Sequence, residues 1–97
     1  MTRLSTNLTD PTARPYFLWD EDTTVGELRA AIAQAEPHEW ARLVGKLMRE
    51  ARDTDVWHFV TPRAVWEHRA ELDRYLGRRR AFWHYLLEAW HRDGFLG

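Results

Sequence analysis

The chain has 97 residues and a net charge of −1, which fits one domain with a buried core and gives no general attraction to nucleic acid. It contains no cysteine, which excludes disulfides and thiol catalysis and is typical of a reducing compartment. The N-terminal sequence lacks the apolar centre of a signal peptide, and no apolar run is long enough to span a membrane. We therefore expect a cytoplasmic protein without membrane contact.

Residues 1–14 are polar and rich in Thr, Asn, Asp and Pro, a composition that predicts a flexible N-terminal tail. Residues 15–97 are expected to form a single helical domain. This domain opens with the sequence PYFLWDED, an aromatic segment that ends in three acidic residues. We expect this segment to be extended.

Two helices are predicted in the next part of the chain. Thr24 and Glu27 have the spacing of a capping box, in which each side chain binds the backbone N–H group of the other residue. This helix is expected to end before Pro37, because proline suits the first turn of a following helix. From Trp40 to Ala51, apolar residues recur with a helical period, which is the strongest periodic signal in the chain.

Residues 56–60 form an apolar, aromatic connector between the second and third helices. We expect an extended or single-turn segment in which Val56 and Val60 close the core. An edge strand that awaits a partner chain is the alternative.

The third helix is predicted to begin at Thr61 and Pro62 and to stop at Gly77, and the fourth runs from near Arg79 to Asp93. The predicted buried face of the fourth helix consists of Phe82, Trp83, Leu86, Leu87 and Trp90. The expected fold is therefore all-α, a compact bundle of about four short helices.

Two predicted helices carry residues with the spacing of metal ligands. Candidate ligands are His84, Glu88, His91, His68 and Glu71. A metal-binding helical enzyme is one interpretation, and ordinary charge pairs on a polar helix face are the other. Ser5 is the only serine, and the chain has no glycine-rich phosphate loop. We therefore assign no catalytic residue, no cofactor and no metal.

The arginines at 78–80 precede an aromatic stretch at the predicted start of the fourth helix. Such a cluster can bind phosphate, carboxylate or RNA. Alternatively, these arginines pair within the domain with Asp73, Glu67 or the acidic residues at 20–22.

The six tryptophans fall into two groups. Those on the predicted apolar helix faces are expected in the core: Trp40, Trp83 and Trp90. Those outside the clear periodicities are candidates for surface or connector anchors: Trp19, Trp57 and Trp66.

Three motifs together give a resemblance to a known group of proteins. They are PYFLWDED, L-x-x-K-L-M-R-E-A-R-D-T-D-V-W-x-F and L-G-R-R-R-x-F-W-x-Y-L-L-x-x-W. Over residues 15–97 the chain resembles small bacterial proteins encoded beside AbiEii-type nucleotidyltransferases, the toxins of AbiE-like toxin–antitoxin systems. It does not resemble the larger antitoxins with a winged-helix DNA-binding domain. The resemblance implies an antitoxin or accessory partner that binds and neutralises a nucleotidyltransferase, and it implies no catalytic residues.

The expected partner is therefore the nucleotidyltransferase, with its basic groups facing the acidic residues of the PYFLWDED segment. The residues predicted to contact it are Tyr16, Phe17, Trp19, Asp20, Glu21, Asp22, Trp57, Phe59, Arg78, Arg79 and Arg80. An RNA-binding accessory protein is the alternative function, and its phosphate contacts would be Arg42, Lys46, Arg49, Arg52 and the arginines at 78–80. A homodimer fits any of these functions, since self-association often covers exposed aromatic residues.

Overall fold

The structure is a computed structural model that describes residues 4–96, and its fold is all-α as predicted. The α-helices of this range are α1 (Val25–Gln34), α2 (Pro37–Glu50), α3 (Pro62–Glu67), α4 (Arg69–Leu72) and α5 (Arg80–Arg92). The 3-10 helices span Tyr16–Leu18, Asp53–His58, Asp73–Tyr75 and Gly77–Arg79. Two short parallel strands, β1 (Leu4–Ser5) and β2 (Arg14–Pro15), pair with each other. Within residues 4–96, no helix combines the length and the apolar character needed to cross a membrane.

The N-terminal segment packs against the helices, which corrects the prediction of a flexible tail. Leu8 and Ala13 are buried in the core, and the backbone of residues 11–13 is tied to the start of α1. The Val25 N–H donates to the Ala13 carbonyl at 2.8 Å, and the Gly26 N–H donates to the Pro11 carbonyl at 2.9 Å. These long-range bonds order a segment whose own composition is typical of a loop. Residues 1–3 of the predicted tail lie outside the described residues.

The predicted helix starts are confirmed. Thr24 and Glu27 form the capping box at the start of α1, and Pro37 occupies the first turn of α2. α2 lies at the centre of the fold, with Val44, Leu47 and Met48 fully buried. The PYFLWDED segment is not extended as expected, because Tyr16–Leu18 forms a 3-10 turn. That turn directs two of its apolar side chains into the core.

The connector between α2 and α3 is helical rather than an edge strand, and its 3-10 helix begins earlier and is longer, at about two turns, than the predicted extended or single-turn segment. Its 3-10 helix, Asp53–His58, buries Val56 completely, and Val60 is half-buried. The helix satisfies backbone groups locally, for example through the Phe59 N–H that donates to the Val56 carbonyl at 3.1 Å. An apolar sequence therefore does not require a partner strand here.

The predicted third helix is interrupted. It begins at Thr61 and Pro62 as expected, but α3 ends at Glu67 and the chain continues through α4 and a 3-10 turn. The break lies at His68, whose ring packs on Trp40 with a centroid distance of 4.9 Å. Gly77 terminates the region with φ of +54°, a left-handed conformation that favours glycine.

The last helix, α5, buries only part of its predicted face. Trp83 and Leu87 lie in the core, whereas the Phe82 side chain is 39% exposed. After the helix, Gly94 has φ of +83° and the Phe95 N–H donates to the Trp90 carbonyl at 2.9 Å, which closes the end of the helix. The sequence pattern placed Phe82 on the buried face of α5, whereas the structure leaves it partly on the surface.

Candidate functional site

The acidic end of the PYFLWDED segment forms an exposed corner of the protein. This Trp19 corner consists of Trp19, Asp20, Glu21 and Asp22. Trp19 is 66% exposed, and among the large apolar residues described only Tyr85 and Phe95 are more exposed, both at 75%. Arg14 fixes the corner from beneath, since its Nε donates to the Glu21 carbonyl at 3.0 Å and its Nη2 to the Trp19 carbonyl at 3.3 Å. The backbone that carries the exposed indole is thus fixed by two hydrogen bonds from Arg14.

Lys46 of α2 neutralises two of the three acids in the corner. Its Nζ lies 3.1 Å from both carboxylate oxygens of Asp20 and also pairs with Glu21. The hydrogen bond from Lys46 lowers the pKa of Asp20, and desolvation opposes this effect. Partial burial lowers the pKa of Lys46, but its bonds to Glu21 and Asp20 outweigh burial and raise it. The Asp22 side chain is 94% exposed and lies 3.9 Å from Arg14, so it remains available for a partner.

Two predicted contact residues, Tyr16 and Phe17, have structural roles. Phe17 is buried and packs edge-on against Phe59 at a centroid distance of 5.8 Å. The Tyr16 hydroxyl donates to Asp55 at 2.5 Å and accepts the Arg52 N–H at 2.8 Å. These bonds join the first turn of the domain to the end of α2. Phe17 is therefore unavailable to a partner, and the hydroxyl of the half-buried Tyr16 is already engaged within the chain.

The connector aromatics also pack inward. Trp57 meets Trp83 edge-on at 5.7 Å and lies 5.6 Å from Trp90, so the structure places it against the core. Phe59 is covered by the guanidinium of Arg29, 5.1 Å from the ring centroid. No sequence pattern identified Arg29, which also donates to the His58 carbonyl at 3.1 Å and links α1 to the connector.

Arg79 caps the C-terminus of α2 rather than lying free on the surface. Its Nη1 donates to the Ala51 carbonyl at 2.6 Å and approaches the Met48 carbonyl at 3.4 Å. The buried Trp83 Nε1 donates to the same Met48 carbonyl at 2.9 Å. A cation at this end of a helix also complements the helix dipole. Arg79 and Trp83 therefore join α5 to the central helix.

Arg80 confirms the interpretation that arginines of this cluster pair inside the domain. Its Nε donates to Asp73 at 2.9 Å, and His84 contacts the same carboxylate. Partial burial raises the pKa of Asp73, but the bonds from His84 and Arg80 outweigh it and hold the pKa below its usual range. Arg78 is exposed and makes no ion pair with any residue in the range 4–96. Arg78 and Arg80 are thus both exposed, but the Arg80 side chain, 60% exposed, is already paired with Asp73.

The basic residues of α2 and its C-terminal end, named as RNA contacts, are engaged within the chain. Arg42 pairs with Glu39, and Lys46 with the Trp19 corner. Arg49 donates to the Tyr75 carbonyl at 2.9 Å, and Arg52 lies 3.3 Å from Asp55. A row of paired cations offers fewer phosphate contacts than the sequence indicates.

The three histidines among the candidate metal ligands contact different neighbours. His84 contacts Asp73, His68 packs on Trp40, and His91 stacks on Trp66 with a centroid distance of 4.3 Å. Among residues 4–96, no group of three His, Asp or Glu side chains is arranged to hold a metal ion.

A groove of about 410 Å³ separates α3 and α4 from α5. Trp66, Ala70 and Leu87 provide apolar walls, and Arg69, Asp73, His84 and Glu88 complete the lining. The Arg69 guanidinium lies 3.7 Å from the Trp66 ring centroid, and Asp73 is already bound by Arg80 and His84. Most of the charged groups in the groove are therefore satisfied by the chain itself.

The chain was compared with protein-family models, with curated proteins and with solved structures, and none of them matches. The candidate site accordingly rests on the geometry of this chain. Of the predicted contact residues, that geometry leaves the Trp19 corner, Arg78 and Arg80 on the surface, while Phe17 and Arg79 serve the fold.

Proposed function

We propose that this chain is a non-catalytic protein-binding module, an antitoxin or accessory partner that binds and neutralises a nucleotidyltransferase toxin. The observation that carries the proposal is the Trp19 corner, where the indole is 66% exposed although its backbone is fixed by Arg14. The sequence resemblance over residues 15–97 supplies the class of partner.

The Trp19 corner has the properties of a preorganised binding anchor. Tryptophan is among the residues most enriched at the energetic centres of protein interfaces. A side chain on a braced loop loses less conformational entropy on binding than one on a mobile loop. Arg14 and Lys46 supply this bracing through the bonds described above.

Charge gives the corner a preference among partner surfaces. Lys46 neutralises Asp20 and Glu21, but Asp22 extends into solvent beside Trp19. A partner pocket with an apolar floor and a basic rim would complement this arrangement. The groups that hold nucleotide phosphates on a nucleotidyltransferase are basic, and their occupation by the corner would block the enzyme.

The proposal is tested by co-expression of the tagged chain with the nucleotidyltransferase encoded by the adjacent gene. We expect a complex that survives high salt, with loss of transferase activity. Trp19→Ala should weaken the complex by about 2 kcal/mol, or roughly 30-fold in Kd, as for a central aromatic anchor. Phe95→Ala is the matched control, since Phe95 is also exposed, at 75%, but lies at the opposite end of the chain.

Two results would contradict the proposal. Absence of any complex between the wild-type chain and the transferase would refute the antitoxin function. A complex that Trp19→Ala and Phe95→Ala leave equally strong would show that the Trp19 corner is not the anchor. Isothermal titration calorimetry on the purified components distinguishes these cases.

A further inference from the structure

A pocket of about 250 Å³ opens beside the Trp19 corner, where the 3-10 turn Tyr16–Leu18 meets α1 and α2. We refer to it as the α1–α2 pocket. Its walls are apolar and consist of side chains from all three elements: Phe17, Leu18, Leu28, Ala31, Leu43 and Leu47. Four of these residues are buried, whereas Leu43 is half-buried and Ala31 is exposed. Glu21 belongs both to the pocket lining and to the Trp19 corner, so the two form one continuous surface.

The charged groups of the α1–α2 pocket are paired within the chain. Four charged side chains line it: Glu21, Glu39, Arg42 and Lys46. The Arg42 Nε lies 3.1 Å from both carboxylate oxygens of Glu39, and Lys46 pairs with Glu21. A charged occupant would have to break one of these pairs, whereas an apolar group leaves them in place. The pocket therefore suits an uncharged, apolar occupant.

The volume of the pocket favours a single side chain over a free ligand. An apolar cavity of about 150 Å³ already accommodates benzene. Pockets for small-molecule ligands and cofactors usually have volumes of about 300–1,000 Å³. The α1–α2 pocket, at about 250 Å³, lies between these values. It therefore fits one side chain of the size of leucine, methionine or phenylalanine.

A partner anchored on Trp19 has to cover the mouth of this pocket. A stable interface buries about 800 Å² on each protein, so a round patch reaches roughly 15 Å from its centre. Energetic anchors lie near that centre. Glu21 is two positions from Trp19, so its Cα lies within about 8 Å of the Trp19 Cα at 3.8 Å per residue. The protein that buries the indole therefore also covers the α1–α2 pocket.

We propose that the partner protein inserts one uncharged, apolar side chain into the α1–α2 pocket while Trp19 enters a pocket of the partner. This inference rests on the proposed function and specifies what the partner presents beside its binding site for Trp19. Each protein then supplies one anchor and one pocket, an arrangement in which the energetic centres of the two surfaces lie side by side.

Filling the pocket from its rim tests the inference without a change in the core. Ala31 is exposed on α1 and lines the pocket, so Ala31→Phe places a ring in the space that the partner side chain occupies. The complex with the nucleotidyltransferase encoded by the adjacent gene should weaken about tenfold or more in Kd, because the burial of one apolar side chain is lost. Ala30→Phe is the matched control, since Ala30 is also exposed on α1 but does not line the pocket.

Leu43→Ala distinguishes insertion into the pocket from a collision at its rim. This change widens the pocket and removes contacts with an inserted side chain, so it should weaken the complex roughly fivefold. A partner that only lies across the rim would not respond to it. Leu86→Ala is the control, because Leu86 is equally half-buried but lies on α5. Circular dichroism verifies that all four variants fold, and calorimetry measures each Kd.

The outcomes separate this inference from the proposed function. If Trp19→Ala weakens the complex but Ala31→Phe and Leu43→Ala bind as tightly as their controls, the inference fails and the proposed function stands. If Ala31→Phe alone weakens the complex, the pocket is covered but not entered, and the inference also fails. If the wild-type chain forms no complex, both fail. A dimer of the free chain that Ala31→Phe dissociates and Ala30→Phe does not, measured by light scattering, would make a second copy the occupant and overturn the inference.

Discussion

Replacement of Gly45 by alanine tests the close contact between α2 and the 3-10 turn Asp73–Tyr75. Gly45 is buried in the middle of α2. An added methyl group would overlap the Tyr75 Cβ and lie 3.1 Å from its Cγ. Carbon atoms pack best at roughly 3.5–4.0 Å, so the two segments must separate. The obstacle is the first atom of the Tyr75 side chain, which no rotamer change can move away.

Two opposing terms set the expected size of the effect. Alanine in a helix is favoured over glycine by about 1 kcal/mol. Overpacking of a core costs about 1–3 kcal/mol, and the upper end applies where the overlap involves a Cβ atom. We therefore expect Gly45→Ala to lower the free energy of unfolding by about 2 kcal/mol. For a domain of this size, such a loss lowers Tm by roughly 10 °C.

Urea unfolding followed by circular dichroism measures this change, with Ala30→Gly as a control for helix propensity at an exposed position. Two backgrounds make the test specific. Tyr75→Ala retains the Cβ atom, so Gly45→Ala should remain destabilising in it. Tyr75→Gly removes that atom, so the same substitution should become stabilising by up to about 1 kcal/mol. A neutral or stabilising effect of Gly45→Ala in the wild-type chain would refute the proposed packing of α2 on this turn.

Two further predictions concern the bonds that hold α5 in place. Trp83→Phe removes the buried donor to the Met48 carbonyl and leaves a gap, and should cost about 2–3 kcal/mol in urea unfolding. Burial raises the pKa of Asp73, but the bonds from His84 and Arg80 outweigh burial, so the folded pKa lies below the unfolded value of about 4. The stabilising contribution of Asp73 is therefore complete above the unfolded pKa and is lost as the pH falls through the folded pKa. Asp73→Asn should therefore be less stable than the wild type at pH 7, and the difference should shrink in unfolding curves measured below about pH 4. A constant difference down to pH 2 would contradict this assignment.

Local sequence signals predicted where most of the helices start. The capping box at Thr24 and the prolines at the starts of α2 and α3 act through atoms within one helical turn, so the sequence contains the whole interaction. The glycine at position 77 marked the end of a helical region for the same reason.

The remaining features depend on contacts between distant residues. Leu8 lies between polar residues in the N-terminal segment, and its burial follows from packing in the core rather than from any periodicity. The PYFLWDED segment winds into a 3-10 turn whose first residue, Tyr16, bonds to Asp55, 39 residues away. The role of Arg79 as a cap for α2 also spans 28 residues to Ala51. A cluster of arginines in a sequence does not reveal which carbonyl groups lie beside it.

The motif L-G-R-R-R-x-F-W-x-Y therefore combines two sets of side chains with different roles. Arg79 and Trp83 lie four residues apart and bond to the end of α2. Arg78, Phe82 and Tyr85 interleave with them and are exposed. A deletion or block substitution of the motif would remove both sets, and the loss of binding could then reflect unfolding alone. Single substitutions on the exposed set leave the bonds to α2 intact, so only they can separate recognition from stability.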